Sequence, residues 1–246
     1  MIARDEMSVV SEDYPRVGSD EAGKGDYFGP LVVAAVAVMD RKSETCLAKA
    51  GVADSKRLSD LRCRELAAMI RQECVCEVVE ISPGRYNELY ASIGNLNRLL
   101  AWAHARAVEN ILSRLPEGTA IPVVVDQFAP ATVLEQALFA RTRQARLTVH
   151  PRAESSSIEV AAASVVARAA FLAGLQRLSK NWGVELPKGA THVLDTARVI
   201  WEKGGEAALR QVAKWHFRTT EKLLAAVHPR GPGHPGLPGL QGTAEE

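Results

Sequence analysis

Several large classes of protein are excluded by what this sequence has little of. It holds four cysteines in 246 residues, Cys46, Cys63, Cys74 and Cys76. No two form a C-x-x-C pair, which argues against a zinc ribbon or a thioredoxin-type motif, and a disulfide framework is not expected at this length. Neither sign of charge is in excess. Thirty Lys and Arg against 29 Asp and Glu leave a net +1. That excludes a histone-like basic protein and an acidic disordered one, but leaves room for a locally basic surface. The longest apolar run, Leu31 to Met39, is bounded by Pro30 and Asp40 and falls far short of the roughly 20 residues that span a bilayer. The first ten residues carry charge where a signal peptide would be apolar. The six histidines show no H-x-x-x-H or other metal spacing. A soluble, cytoplasmic protein without membrane association is expected.

What is present suits one compact domain, since 47% of the residues are hydrophobic, enough for a proper core. Residues 1–16 read as a polar arm and residues 17–227 as the folded domain. Residues 228–246, with four Pro and five Gly, read as a disordered tail that cannot bury enough surface to offset its ordering entropy. Strands are expected at Val17 to Glu21, Leu31 to Val38, Val75 to Ile81, Ile121 to Asp126 and Arg146 to Val149. The run IPVVVD has the continuous apolar character of a strand buried on both faces. Helices are expected from Ser59, as N-cap, to Glu73, and along the apolar stripe from Leu96 to Leu112. A third is expected behind a capping box formed by Ser156 and Glu159, ending near Leu178. A last helix is expected over Glu206 to Val227. Alternating strands and helices predict an α/β fold with a mixed sheet flanked by helices.

Three places carry candidate chemistry. Adjacent Asp20 and Glu21 end an apolar strand, followed by Gly23, Lys24 and Gly25. Neighbouring strand residues point to opposite faces, so the two acids share a site only if the chain turns there; a charged hairpin loop would read the same way. Asp126 ends the buried run IPVVVD, where an acid is costly unless paired or metal-bound, at the strand edge where α/β proteins place ligands. It could equally cap the following turn. Glu154 precedes a helix N-terminus, itself a favourable place for an acid. Several carboxylates without a histidine partner suit hard cations, Mg²⁺ or Mn²⁺, and two such ions can activate water against a phosphodiester. His104, inside a helical stripe, is expected to be structural.

These residues lie in segments that resemble a family. GSDEAGKGDYFGPLVVAAV, ADSKRLSD, VVVDQFA and RAESSSIEVAAASVVARAAFL resemble, in order, the four motifs of type 2 ribonucleases H. DYFGP, RYNELY, GNLNRLLAWAH, LPKGATHV and KWHFRTTEK resemble ribonuclease HIII more than HII. The resemblance covers about residues 16 to 225. It implies a ribonuclease H-like fold with a central five-stranded mixed sheet and a helical C-terminal region. It also implies a metal-dependent endonuclease that cuts the RNA strand of RNA–DNA hybrids, leaving 5′-phosphate and 3′-hydroxyl ends. The family's acidic quartet falls on Asp20, Glu21, Asp126 and Glu154, where many relatives have Asp at the last position. The Gly-x-Gly segment, whose backbone reads 2′-hydroxyls, falls on Gly23, Lys24 and Gly25. Lys56 matches a position near a substrate phosphate, and Ser164 marks the A-A-A-S of the fourth motif as a substrate-site residue. Ribonuclease HIII enzymes usually carry an N-terminal substrate-binding domain, and about sixteen residues precede the first motif here. Binding is then expected to rest on Lys56, Arg57, Lys188, Lys214, Arg218 and Lys222, with Trp215 and Phe217 as core aromatics. A monomer without an obligate protein partner is expected. The alternatives are an HII-like enzyme cutting at isolated ribonucleotides, a catalytically silent nucleic-acid-binding module of the same fold, and a phosphate-binding metabolic enzyme. The last lacks both the Walker pattern and a dinucleotide fingerprint.

Overall fold

The computed structural model describes residues 14–116, 121–126, 132–133, 136–137, 145–150 and 152–227. The proposed tail at 228–246 and all but the last three residues of the proposed arm lie outside them. Strands β1 (Arg16–Ala22), β2 (Leu31–Val38), β3 (Val75–Ile81), β4 (Ile121–Asp126) and β5 (Ala145–His150) form one sheet in the order β3-β2-β1-β4-β5. The pairs β3–β2 and β2–β1 are antiparallel, and β1–β4 and β4–β5 are parallel. This is the mixed five-stranded sheet of the ribonuclease H-like fold.

β2 shows why the sheet is buried on both sides. Every residue of LVVAAVAV is buried. Val32, Ala34, Val36 and Val38 enter one core, and Leu31, Val33, Ala35 and Ala37 enter the other. That is the period-two alternation of a strand with helices on each face. The first core is covered by α2 (Asp60–Glu73) and α5 (Ile158–Trp182), the second by α4 (Leu96–Leu112). α5 is long and apolar enough to cross a membrane by composition, yet 78% of its most apolar stretch is buried inside the domain. Its approach to β1 depends on Gly18, where an added Cβ would lie 2.2 Å from the Glu159 carbonyl carbon.

Besides shifts of a few residues at the ends of β1, β5 and α5, the elements differ from expectation in four places. α1 (Arg41–Lys49) and α3 (Pro83–Ile93) were not expected from the apolar pattern, because both are short. Their caps are nonetheless regular. Asp40 accepts from Ser43 N at 2.7 Å. Ser82 precedes Pro83, and Gly94 closes α3 at φ 68°, a left-handed terminus that suits glycine. The N-cap of α5 is Ser157 rather than Ser156, accepting from Val160 N at 3.4 Å. Glu159 does not complete a capping box: it is buried and faces Arg16 at 3.8 Å. The single C-terminal helix expected over Glu206 to Val227 is interrupted: α6 (Leu194–Val212) kinks at Gly204 and Gly205, with an unexpected stretch before the kink, and α7 (Arg218–Val227) follows. The chain between them is extended because Ala213 bridges Phe28 and Lys214 N donates to Tyr27 O at 2.9 Å.

Candidate active site

The parallel ladder sets the two strand-end acids beside each other. Val17, Gly18 and Ser19 pair with Val123, Val124 and Val125. One residue further along stand Asp20, near the end of β1, and Asp126, the last residue of β4, on neighbouring strands that lie about 4.8 Å apart. Asp20 and Glu21 leave β1 on opposite faces, as alternation requires. Asp20 faces Ser164 of α5, and Glu21 Oε2 lies 3.2 Å from His104 Nε2 of α4. Both reach one cleft because β1 ends at Ala22 and the chain turns at Gly23, with φ 86°. A Cβ on Gly23 would meet Pro30 O at 2.2 Å, so only glycine fits this turn.

The cleft has a volume of about 370 Å³ and is lined by Asp20, Glu21 and Asp126, by the Gly23–Gly25 turn, and by Lys56 and Arg168. Glu154 is set back in a 3-10 turn (Ala153–Ser155) and is 7% exposed. Asp126 Oδ1 accepts from Ala153 N at 3.0 Å, so the third acid holds the turn that carries the fourth.

The electrostatics show charge in excess. Burial and the neighbouring Glu21 charge push the Asp20 carboxyl well above its usual range. The Asp126 charge adds to this, and the hydrogen bond from Glu21 N and the nearby Ser164 hydroxyl oppose it. Burial also acts to raise Glu21. The His104 hydrogen bond and the charges of His104, Lys24 and Lys56 outweigh it, and Glu21 ends below its usual range. Glu154 is raised by burial and by Asp126, against the pull of Lys56. Glu154 Oε2 is buried and accepts no hydrogen bond among the described residues. A buried carboxylate oxygen without a donor, beside further acids, is the arrangement a divalent cation satisfies. All the donors are oxygens of hard carboxylates, so the residues fit Mg²⁺ or Mn²⁺. Among the described residues no three potential ligands are already drawn into a closed cluster, in keeping with the mutual repulsion of uncompensated acids.

The structure places the remaining sequence-derived residues unevenly. Lys56 is exposed at the cleft on a 3-10 turn (Ser55–Arg57) whose start is held by Asp54, accepting from Lys56 N at 3.0 Å. Lys24 Nζ stands 3.7 Å from Glu21 Oε1, and Gly25 is exposed. Ser164 lies beneath the cleft rather than on it, at 3% exposure. It donates to Ser55 Oγ at 2.7 Å and accepts from Ser55 N at 3.3 Å. It thereby ties the Lys56 turn to α5, and its burial keeps it from the direct substrate contact expected of it. Lys188 is paired with Asp60 at 2.5 Å, which also holds Arg168 at 2.9 Å. Arg57, Arg218 and Lys222 are exposed but do not line the cleft.

Lys214 is not a surface cation. It is fully buried, and its Nζ donates to Asp26 O and Gly29 O, each at 2.8 Å. It lies inward because the extended stretch between α6 and α7 is zipped to residues 27–29. Trp215 and Phe217 pack against the core, as expected. Arg168 and His104 were missed as site residues. A sequence signal existed for His104: it is the polar position in the apolar stripe of α4, between buried Ala103 and Ala107.

Strand-end carboxylates on a 3-2-1-4-5 mixed sheet, with lysines at the rim, define a nuclease of the ribonuclease H fold. A family model described as ribonuclease HII matches residues 17–220. Ribonuclease HIII of Protochlamydia amoebophila is 42% identical over 214 residues, covering 87% of this chain and 69% of that protein. Ribonuclease HIII of Chlamydia pneumoniae is 42% identical over 211 residues, covering 85% of this chain and 70% of that one. A crystal structure of Bst-RNase HIII in complex with Mn²⁺ superposes with a TM-score of 0.81 at 34% identity, over 88% of this chain and 71% of that one. The chain belongs to the type 2 ribonuclease H family, among its ribonuclease HIII members, and it is a ribonuclease H.

Proposed function

We propose that this enzyme hydrolyses the RNA strand of RNA–DNA hybrids in a divalent-metal-dependent reaction that leaves 5′-phosphate and 3′-hydroxyl ends, with Asp20, Glu21, Asp126 and Glu154 holding Mg²⁺ or Mn²⁺. The observation that carries this reading is the convergence of Asp20, Glu21 and Asp126 on one cleft, where burial and the neighbouring acids hold Asp20 well above its usual range. Bound as a pair, such cations supply an activated water and a counter-charge for the leaving oxygen. The protein's own contribution is placement. Asp20 and Asp126 are fixed by the strand register, Asp126 is oriented by Ala153 N, and Glu154 is carried by the turn that this bond closes. Lys56 offers a cation to a substrate phosphate at the cleft. The Gly23–Gly25 backbone, free of side-chain bulk at Gly25, suits close approach to 2′-hydroxyls in the wide minor groove of the hybrid. The substrate partner is the hybrid duplex, and the enzyme acts as a cytoplasmic monomer.

The HII-like alternative, cleavage at isolated ribonucleotides, is disfavoured by the tyrosines. Tyr14, Tyr27, Tyr86 and Tyr90 are the only four, so no tyrosine follows Asp126 to stack at an RNA–DNA junction. With one 2′-hydroxyl to read, discrimination falls; several adjacent ribonucleotides restore it. Cleavage of three duplexes in Mg²⁺ and in Mn²⁺ tests both readings: all-RNA/DNA, a four-ribonucleotide patch, and a single ribonucleotide in DNA. Good cleavage of the first two and poor cleavage of the third is expected. Equal rates on the patch and the single ribonucleotide would overturn the HIII-type specificity, and no cleavage of any duplex would overturn the nuclease reading.

A further inference from the structure

The two acids at the tip of β1 depart on opposite faces of the sheet, and each is met by a polar side chain from the helix on its own face. Ser164 of α5 lies beside Asp20. His104 of α4 occupies the corresponding place for Glu21. His104 is 0% exposed and sits among buried Leu100, Ala103, Ala107 and Val108. An imidazole stripped of water in such surroundings is costly unless its nitrogens are engaged. Both are: Nε2 is 3.2 Å from Glu21 Oε2, and Nδ1 is 2.8 Å from Ser19 Oγ. Ser19 in turn donates to Ala34 O of β2 at 2.9 Å. The chain of contacts runs from the β2 backbone through Ser19 and His104 to a carboxylate at the cleft. A carboxylate only accepts, so Nε2 carries the proton in this contact. Glu21 Oε2 is thereby fixed, and Oε1 is left on the Lys24 side, 3.7 Å from that ammonium.

We infer that His104, held by Ser19, is a positioning residue for metal binding: it fixes the Glu21 carboxylate in the orientation that meets the cation. The inference rests on the reading of Glu21 as a metal ligand. Hydrogen bonds that orient ligating groups typically change metal affinity or activity by about 10- to 100-fold when removed. A core histidine with no such role would affect folding and leave metal affinity alone.

The test is Mn²⁺ binding by the substrate-free enzyme, read from the electron paramagnetic resonance of free Mn²⁺, with a melting curve for every variant. Glu21→Gln is expected to lose Mn²⁺ binding, which checks the underlying reading separately. His104→Ala is expected to weaken Mn²⁺ binding about 10-fold and to shift the metal dependence of cleavage to higher concentration more than it lowers the rate at saturating metal. His104→Gln, which can still donate to Glu21, is expected to recover most of the loss. Ser19→Ala removes one hydroxyl and gives a second measurement if His104→Ala fails to fold; a loss of a few-fold is expected. Mn²⁺ affinity within two-fold of wild type in either His104→Ala or Ser19→Ala would overturn the inference. So would a His104→Gln variant as weak as His104→Ala. If Glu21→Gln binds Mn²⁺ normally while His104→Ala does not, the ligand assignment fails instead, and the inference with it.

Discussion

Replacing Lys214 by methionine separates two costs that its burial combines. The side chain is 0% exposed, and its Nζ donates to the carbonyls of Asp26 and Gly29, both at 2.8 Å. Burial pushes the ammonium down from an ordinary 10.5 to about 7, against a small upward pull from Asp26. A neutral amine keeps two N–H groups, which matches the two carbonyls. In the folded protein the proton is given up near pH 7, whereas the unfolded chain holds it to about 10.5. Within that window the unfolded state binds more protons, so stability contributed by Lys214 rises with pH, by up to about 1.4 kcal/mol per unit. Below pH 7 both states are protonated, the contribution is flat, and the cost of a buried charge is fully present. Lys214→Met removes that charge but leaves two carbonyls without their donor, a loss of about 1–3 kcal/mol each if no water replaces it. The advantage of wild type over the variant should therefore be smallest, or reversed, near pH 6. The gap should widen in favour of wild type by about 2–3 kcal/mol between pH 7 and 9. Urea unfolding of both proteins at pH 6, 7, 8 and 9 measures this, and the difference cancels the titration of groups the two share. A difference constant to about 0.5 kcal/mol across that range would show that Lys214 stays charged in the fold and refute the argument.

Asp126→Asn should fold normally, since the amide oxygen can still accept from Ala153 N, and should lose nearly all hybrid cleavage. An activity within a few-fold of wild type with an unchanged melting curve would remove Asp126 from the site. Glu154→Gln should leave the melting temperature unchanged or raise it, because burial and Asp126 already disfavour the charged form, while severely reducing cleavage; Glu154→Asp should be partly active. Normal cleavage by Glu154→Gln at saturating metal would place the fourth ligand elsewhere. Hybrid binding should weaken steeply with salt, the log–log slope increasing by about 0.7 to 0.9 per phosphate neutralised. An affinity that is flat between low and physiological salt would point to a contact based on shape.

Local pattern made most of the sheet legible. Leu31–Val38, Val75–Ile81 and Ile121–Asp126 carry enough apolar and β-branched residues to fix their ends to the residue. Asp126 stood out because an acid closing a buried run has few bland explanations. Glu154 did not, since an acid before a helix is ordinary, and only the likeness to a family singled it out. What escaped the sequence is set by partners distant along the chain. Lys214 reads as one more cation in a basic segment until Asp26 and Gly29, 188 and 185 residues away, supply its acceptors. His104 reads as a structural residue until Glu21, 83 residues away, proves to be its neighbour. α1 and α3 were missed for a local reason: their caps were present at Asp40, Ser82 and Gly94, but the apolar stripe that draws attention to a helix was too short.

The position of α5 connects these observations. Its first turn lies against β1 at Gly18, with room for a hydrogen and not for a methyl group. Two residues after Gly18 along the strand is Asp20, and one turn after Val160 along the helix is Ser164, so the close approach is what brings the serine to the acid. Immediately ahead of the same helix stands the turn with Glu154, closed onto Asp126 by the Ala153 amide. One backbone contact therefore positions the partner of the first acid and the carrier of the fourth. A helix held a methyl's width further out would loosen both at once while leaving the sheet register, and with it the Asp20–Asp126 pairing, in place. The placement of the acids thus depends on two independent devices, the parallel β1–β4 register and the depth of α5. On the opposite face α4 brings His104 to Glu21, so the two acids of β1 are each fixed from their own layer of the fold.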